Sequence, residues 1–222
     1  MAEYAITDYQ FEAVTRDQEG ELAALLEFRV ADAQSSDYLK NVWEKLSNSL
    51  RNHYKFHSND GNCPSWVNWK PYDWSKQNCP ARQKFVAWHE GVVAGFLNLQ
   101  PNFPSQFSPG KNVIYMEHIA AFPGFHSTHL WHRKLSHIGI PMLGYATLQS
   151  ALQGFSGVIG LHVDGGAMKF YERLPQILGF PVFHTVKYGV SAPPPRVEQA
   201  KTQVYLETMV EAAEKLLEIH RV

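Results

Sequence analysis

Glu117 and His118 stand side by side in VIYMEHIAAF, a run whose β-branched and apolar residues predict a strand over 113–122. A carboxylate and an imidazole are the side chains suited to taking a proton near neutral pH, so this strand is where a general base is expected. Neighbours on a strand point to opposite faces unless a bulge intervenes, so one of the two faces an acceptor. Glu117 is the candidate; His118 also reads as a satisfied core histidine. Downstream, HSTHLWHRKLSH places His126, His129, His132 and His137 at i, i+3, i+6 and i+11. The first two share a helical face, but His132 drifts off it and no carboxylate or cysteine completes a zinc pattern, so a polar loop and no metal are expected.

The elements that must position these groups follow from periodicity. Residues 3 to 15 suggest an opening strand, and Leu22, Leu25, Leu26 and Arg29 recur at helical spacing after two acidic residues. A second helix is expected from Ser36 to about Arg51, with Tyr38, Val42, Trp43, Leu46 and Leu50 on one stripe. Residues 58–82 combine three prolines with Trp66, Trp69 and Trp74, an irregular insertion that either packs over the core or covers an acceptor site. From Lys84, KFVAW, HEG and VVAGFLNL spell a hairpin turned at Gly91. Ile138, Met142, Tyr145, Leu148 and Leu152 predict a helix over 138–153 capped by Gly154, and GVIGLHV predicts a buried strand. Ala167, Phe170, Tyr171 and Leu174 predict another helix, with Asp164 as N-cap and Pro175 as its stop. Strands over FPVFHTVKYGV and TQVYLE and a helix over 209–220 complete a single α/β domain over 1–222, a mixed central sheet flanked by helices with right-handed crossovers.

Composition narrows the function classes. Twenty Lys and Arg balance 21 Asp and Glu, so no global basic field attracts nucleic acid or an anionic membrane, and any phosphate site must be local. The N-terminus lacks a secretion signal and no apolar run reaches the length of a span, which makes a cytoplasmic location the expectation. Cys63 and Cys79 are the only cysteines and are read as free thiols.

Two stretches resemble the GNAT (GCN5-related N-acetyltransferase) superfamily, and a bacterial branch of it in particular. In that superfamily the fourth strand ends in a small residue, an aromatic and Pro, as Ala121, Phe122 and Pro123 do here. A pyrophosphate loop of the form Arg/Gln-x-x-Gly-x-Gly/Ala then opens a helix; Lys134, Leu135, Ser136, His137, Ile138 and Gly139 are its nearest match, with His137 in place of the first glycine. The superfamily's Asn-x-x-Ala-x-x-aromatic-Tyr and Gly-Phe are matched by Asp164, Ala167, Phe170 and Tyr171, with Gly179 and Phe180 after a short insertion.

The resemblance implies an N-acyltransferase that moves an acetyl or other acyl group from acyl-CoA to a primary amine by direct attack. It implies that backbone groups of Ile119, Ala120 and Ala121 hydrogen-bond pantetheine and that the helix start at His137, Ile138, Gly139 and Ile140, with Lys134, holds the pyrophosphate. It casts Tyr171 as the acid that protonates the departing thiolate. Asp164, Ala167 and Phe170 join the cofactor set. The expected partners are acetyl-CoA and a small-molecule or peptide amine, without nucleic acid, membrane or metal; a homodimer is admitted. The alternative is a catalytically inactive GNAT-like module that binds acyl-CoA or a partner protein. The Cβ of His137 restricts φ where glycine is expected, so its backbone decides how well the phosphates fit.

Overall fold

The computed structural model describes residues 9–16, 21–46, 48, 82–122, 134–163, 167–184, 187–190 and 203–222. The Trp-rich segment up to residue 81, the histidines at 126, 129 and 132, and Asp164 lie outside these residues. The chain divides into two compact units. The first comprises Phe11–Asn98 and His118–Met142, the second Met1–Gln10, Leu99–Glu117 and Leu143–Val222.

The first unit holds β1 (Phe11–Arg16), β2 (Glu21–Val30), β3 (Gln83–His89), the start of β4 (Val92–Pro104), the end of β5 (Asn112–Ala121) and β6 (Lys134–Ser136), in the order β6-β1-β2-β3-β4-β5. β1 lies antiparallel between β2 and β6, and β2 runs antiparallel to β3 with Glu27 opposite Trp88. β2 replaces the helix expected over Leu22–Arg29. Ala24 and Leu26 are buried while Leu25, Glu27 and Arg29 are exposed, a period of two rather than 3.6, and Leu22 is 57% exposed. Leucines three and four apart carry a helical signal, but pairing with β1 over residues 21–26 and with β3 over residues 27–30 outweighs a propensity difference of a few tenths of a kcal/mol per residue. The β3–β4 hairpin turns as expected on two residues, Glu90 and Gly91, both with positive φ (47° and 79°).

Between β2 and β3, helix α1 (Ala33–Tyr38) starts three residues before Ser36 because Asp32 and Ser35 form a capping box: the Ser35 N–H donates to Asp32 Oδ1 at 2.8 Å and the Asp32 N–H to Ser35 Oγ at 2.7 Å. It passes into a π-turn over Leu39–Trp43, closed by the Glu44 N–H on the Leu39 carbonyl. Leu39 and Trp43 pack with Val86, Trp88, Val93, Phe96, Ala120 and Phe122 into this unit's core.

The second unit contains the rest of β4 and β5, β7 (Ile159–Val163) and β8 (Val204–Glu207), in the order β4-β5-β7-β8, with β5/β7 parallel and β7/β8 antiparallel. Helix α2 (Gly139–Leu152) begins in the first unit and continues into this one, and Gly154 follows it at φ 84°. The Ser150 hydroxyl donates to the Val158 carbonyl at 2.6 Å, tying the end of α2 to the start of β7. Helix α3 (Met168–Leu178) corrects the expected stop at Pro175. Proline removes one backbone donor, yet the helix runs a further turn and ends at Gly179, whose φ of 78° and N–H bond to the Pro175 carbonyl supply the cap. Its N-cap is Ala167, which caps without its side chain. Among the described residues, the strand expected over 180–190 appears as bridges at Phe183↔Thr208 and Lys187↔Tyr205. Helix α4 (Val210–Ile219) closes the unit, with the N–H of Gln10 donating to the His220 carbonyl at 2.7 Å.

Candidate functional site

In the second unit, the parallel ladder between β5 and β7 consists of Ile114↔Ile159 and Tyr115↔Gly160, while β5 itself runs on to Ala121. Glu117 therefore lies beyond the last rung, 5% exposed. Val113 and Tyr115 face a cluster with Phe103, Val158, Val190 and Tyr205, and strand alternation sets Glu117 on that same face.

The polar groups around Tyr115 are arranged as pairs. His162 Nε2 lies 2.8 Å from the Val190 carbonyl and its Nδ1 2.9 Å from the Tyr115 hydroxyl. A carbonyl only accepts, so Nε2 carries the proton and, in the neutral ring, Nδ1 accepts from Tyr115. The Glu207 carboxylate accepts from the Tyr205 hydroxyl at 2.7 Å, the Ser105 hydroxyl at 2.5 Å and the Gln106 N–H at 2.9 Å. Burial, then the Glu207 charge, holds the Tyr205 hydroxyl far above the usual phenol range. With its acceptors filled in this way, Glu207 reads as a structural carboxylate rather than a reacting one.

Tyr171 projects from α3 against Phe170 and Phe183, edge to face at 5.0 and 5.7 Å. It is 5% exposed, and burial pushes its hydroxyl above the ordinary value, so it stays protonated at working pH. No hydrogen bond fixes that hydroxyl among the described residues. Ala167 and Phe170 form the first turn, where the Phe170 N–H donates to the Ala167 carbonyl at 3.0 Å.

The remaining predicted residues belong to the first unit. His118 is 3% exposed, and Ala120 and Phe122 face the core cluster around Trp43, with Ile119 and Ala121 half-buried. The Phe122 N–H donates to the Ala94 carbonyl at 2.8 Å, holding the end of β5 on β4. Gly95 keeps that approach open, since a Cβ there would sit 2.5 Å from Met142 Sδ and 3.3 Å from the Ala120 carbonyl oxygen. Lys134–Ser136, read as part of a loop, is strand β6 paired to β1. The turn into α2 is thereby confined to His137 and Ile138. His137 is exposed and has φ 61°, the left-handed conformation that glycine supplies freely, and its carbonyl accepts from the Ile140 N–H at 3.1 Å. Gly139 and Ile140, half-buried, open α2; of its first-turn donors, the Ile140 and Met142 N–H groups bond the His137 and Ile138 carbonyls and Pro141 has none.

The predicted set thus divides into His118–Ala121, Lys134 and 137–140 in the first unit, and Glu117, Ala167, Phe170 and Tyr171 in the second. Sequence reasoning missed the Tyr115–His162 pair, whose members are 47 residues apart with no shared period to betray them. It also put Tyr38 and Trp43 on an α-helical stripe that five-residue spacing does not allow. Among the described residues no three His, Cys, Asp or Glu side chains gather to hold a metal, and no helix is long and apolar enough to cross a membrane.

No family model matches this sequence, and no curated protein does. Among solved structures, an uncharacterized protein from Bacillus halodurans is similar over 95% of each chain, at 13% identity and a TM-score of 0.53. The mixed α/β fold is shared with it. Acetyltransferases recur among the other similar structures. One is a putative acetyltransferase of the GNAT family from Desulfovibrio desulfuricans, at 14% identity over 83% of this chain and 99% of that one, TM-score 0.46. Another is the diaminobutyrate acetyltransferase of Paenibacillus lautus in complex with L-2,4-diaminobutyric acid and coenzyme A, at 16% identity over 83% and 95%, TM-score 0.40.

Proposed function

We propose that this chain is an acyl-CoA-dependent N-acyltransferase acting on a primary amine. The observation that carries the reading is the two-rung β5/β7 ladder, which stops at Tyr115↔Gly160 although β5 continues for six residues to Ala121. A parallel strand pair that separates early leaves backbone donors and acceptors for an extended ligand to pair with, and pantetheine carries two amides suited to that role. The left-handed φ of His137 supports it from the sequence motif, because this residue adopts the backbone that the motif's glycine would have.

In this reading the backbone of Ile119, Ala120 and Ala121 binds pantetheine, and the first turn of α2 with Lys134 and His137 binds the pyrophosphate. Asp164, Ala167 and Phe170 complete the cofactor set. The amine nitrogen attacks the thioester carbonyl carbon, a C–N bond forms, and the C–S bond breaks. Glu117 takes the amine proton, with His118 as the other candidate, and Tyr171 gives its proton to the departing sulfur, leaving an amide and free CoA thiol. The protein acts in the cytoplasm as one domain, with no metal in the reaction.

Calorimetric titration with acetyl-CoA, followed by thiol release against a panel of amines, tests the assignment. Micromolar binding with release is expected. Binding without release favours the non-catalytic acyl-CoA-binding module, and no binding at millimolar acetyl-CoA sinks both.

A further inference from the structure

At the β3–β4 hairpin a side chain takes the place of a strand rung. β2 pairs with β1 from Glu21 to Leu26 and with β3 from Glu27↔Trp88 to Val30↔Phe85. One residue past that last β3 rung, Nδ1 of His89 lies 3.0 Å from the Leu25 carbonyl. A carbonyl only accepts, so Nδ1 carries the proton and, in the neutral ring, Nε2 presents a lone pair. The ring is fixed by this bond, and its side chain is 16% exposed. Among the described residues Nε2 has no hydrogen bond; Glu90 Oε2 stands 4.0 Å away, too far for one.

Both groups line a cleft of about 270 Å³ within the first unit, together with Leu25, Glu27, Arg29 and Trp88. Pockets for drug-sized ligands measure ~300–1,000 Å³, so this one suits a molecule of a few heavy atoms. Its charges are unequal. Arg29 is held by Glu27 through two bonds and lies over the Trp88 ring at 5.8 Å, which occupies its guanidinium. Glu90 then leaves the lining net negative beside an accepting nitrogen, and Leu25, 51% exposed, offers apolar surface. The gap between Nε2 and Oε2 decides which cation fits. Two acceptors bonded to one tetrahedral nitrogen at about 2.8 Å stand about 4.6 Å apart, near the observed 4.0 Å. A metal about 2.1 Å from each would sit almost in line between them, and among the described residues no third ligand joins it. A carboxylate accepts several hydrogen bonds at once, so Glu90 can serve an ammonium beside its other contacts.

We propose that this cleft binds a primary alkylammonium ion, one N–H donated to His89 Nε2, a second to the Glu90 carboxylate, and the alkyl chain laid on Leu25. A nitrogen held as ammonium is no nucleophile, so the site holds the cation without activating it and stands independently of the acyltransferase reading. The test uses the full chain labelled with 15N-histidine, in which His89→Gln assigns one of eleven imidazoles. Millimolar butylammonium should move the His89 Nε2 signal upfield, as an unprotonated ring nitrogen moves when it accepts a hydrogen bond. Butyltrimethylammonium, with the same chain and charge but no N–H, should leave it in place. Glu90→Gln, on the exposed turn, should keep the fold and weaken butylammonium binding by about fivefold to tenfold. A signal unmoved by butylammonium, an equal response to the trimethylated ion, or an affinity unchanged in Glu90→Gln overturns the proposal.

Discussion

The Tyr115 hydroxyl lies 2.9 Å from Nδ1 of His162, a contact that joins the last paired residue of β5 to β7 two residues beyond its partner Gly160. Both groups are buried, and the second ring nitrogen is spent on the Val190 carbonyl. Tyr115→Phe removes the hydroxyl that donates to Nδ1 and should destabilise the fold by about 1–2 kcal/mol. In a chain of this size that lowers Tm by roughly 2–8 °C in a calorimetric scan. An unchanged Tm would mean that the pair holds nothing.

His137 tests how a side chain occupies a glycine's place. Its φ of 61° is reachable by histidine at a cost of about 1–2 kcal/mol, but β-branched residues are far less tolerant. His137→Gly should be near neutral in urea unfolding, since relieved strain offsets the entropy glycine adds to the unfolded chain. His137→Val should lose about 1–3 kcal/mol and weaken acetyl-CoA binding with it.

His220 makes stability depend on pH. Burial lowers its pKa to about 4, against an ordinary value of 6.5. Below pH 6.5 the unfolded chain takes up a proton that the folded chain refuses, so the stabilisation present above that pH is lost as pH falls towards 4. By linkage the loss at pH 5 is about 2 kcal/mol. Urea midpoints measured at pH 7 and pH 5 should differ accordingly in the parent and converge in His220→Gln.

The proton-donor role proposed for Tyr171 is tested by a single hydroxyl. Tyr171→Phe keeps the ring between Phe170 and Phe183 and removes only the hydroxyl. Acetyl-CoA affinity should hold while turnover falls by about a hundredfold, the lower range for general acid catalysis. Equal turnover in the two proteins removes Tyr171 from the mechanism.

Local chemistry made much of this protein legible in its sequence. Gly91 between two apolar runs announces the β3–β4 hairpin; Ile138 to Leu152 repeat at helical spacing, and GVIGLHV is a short apolar run of the kind found in buried strands. The motif residues Ala167, Phe170 and Tyr171 fell on one helix for the same reason. What failed depended on partners distant in sequence. β2 is a strand because β1 and β3 flank it, although its leucines repeat like a helix; α3 passes Pro175 because Gly179, not proline, supplies its cap. The pairing of Tyr115 with His162, the early end of the β5/β7 ladder and the left-handed backbone of His137 are set by tertiary packing, which no window of neighbouring residues contains. Composition and period determined which elements form. Only the folded chain decided that the β5/β7 ladder ends at Tyr115↔Gly160, the observation on which the proposed function rests.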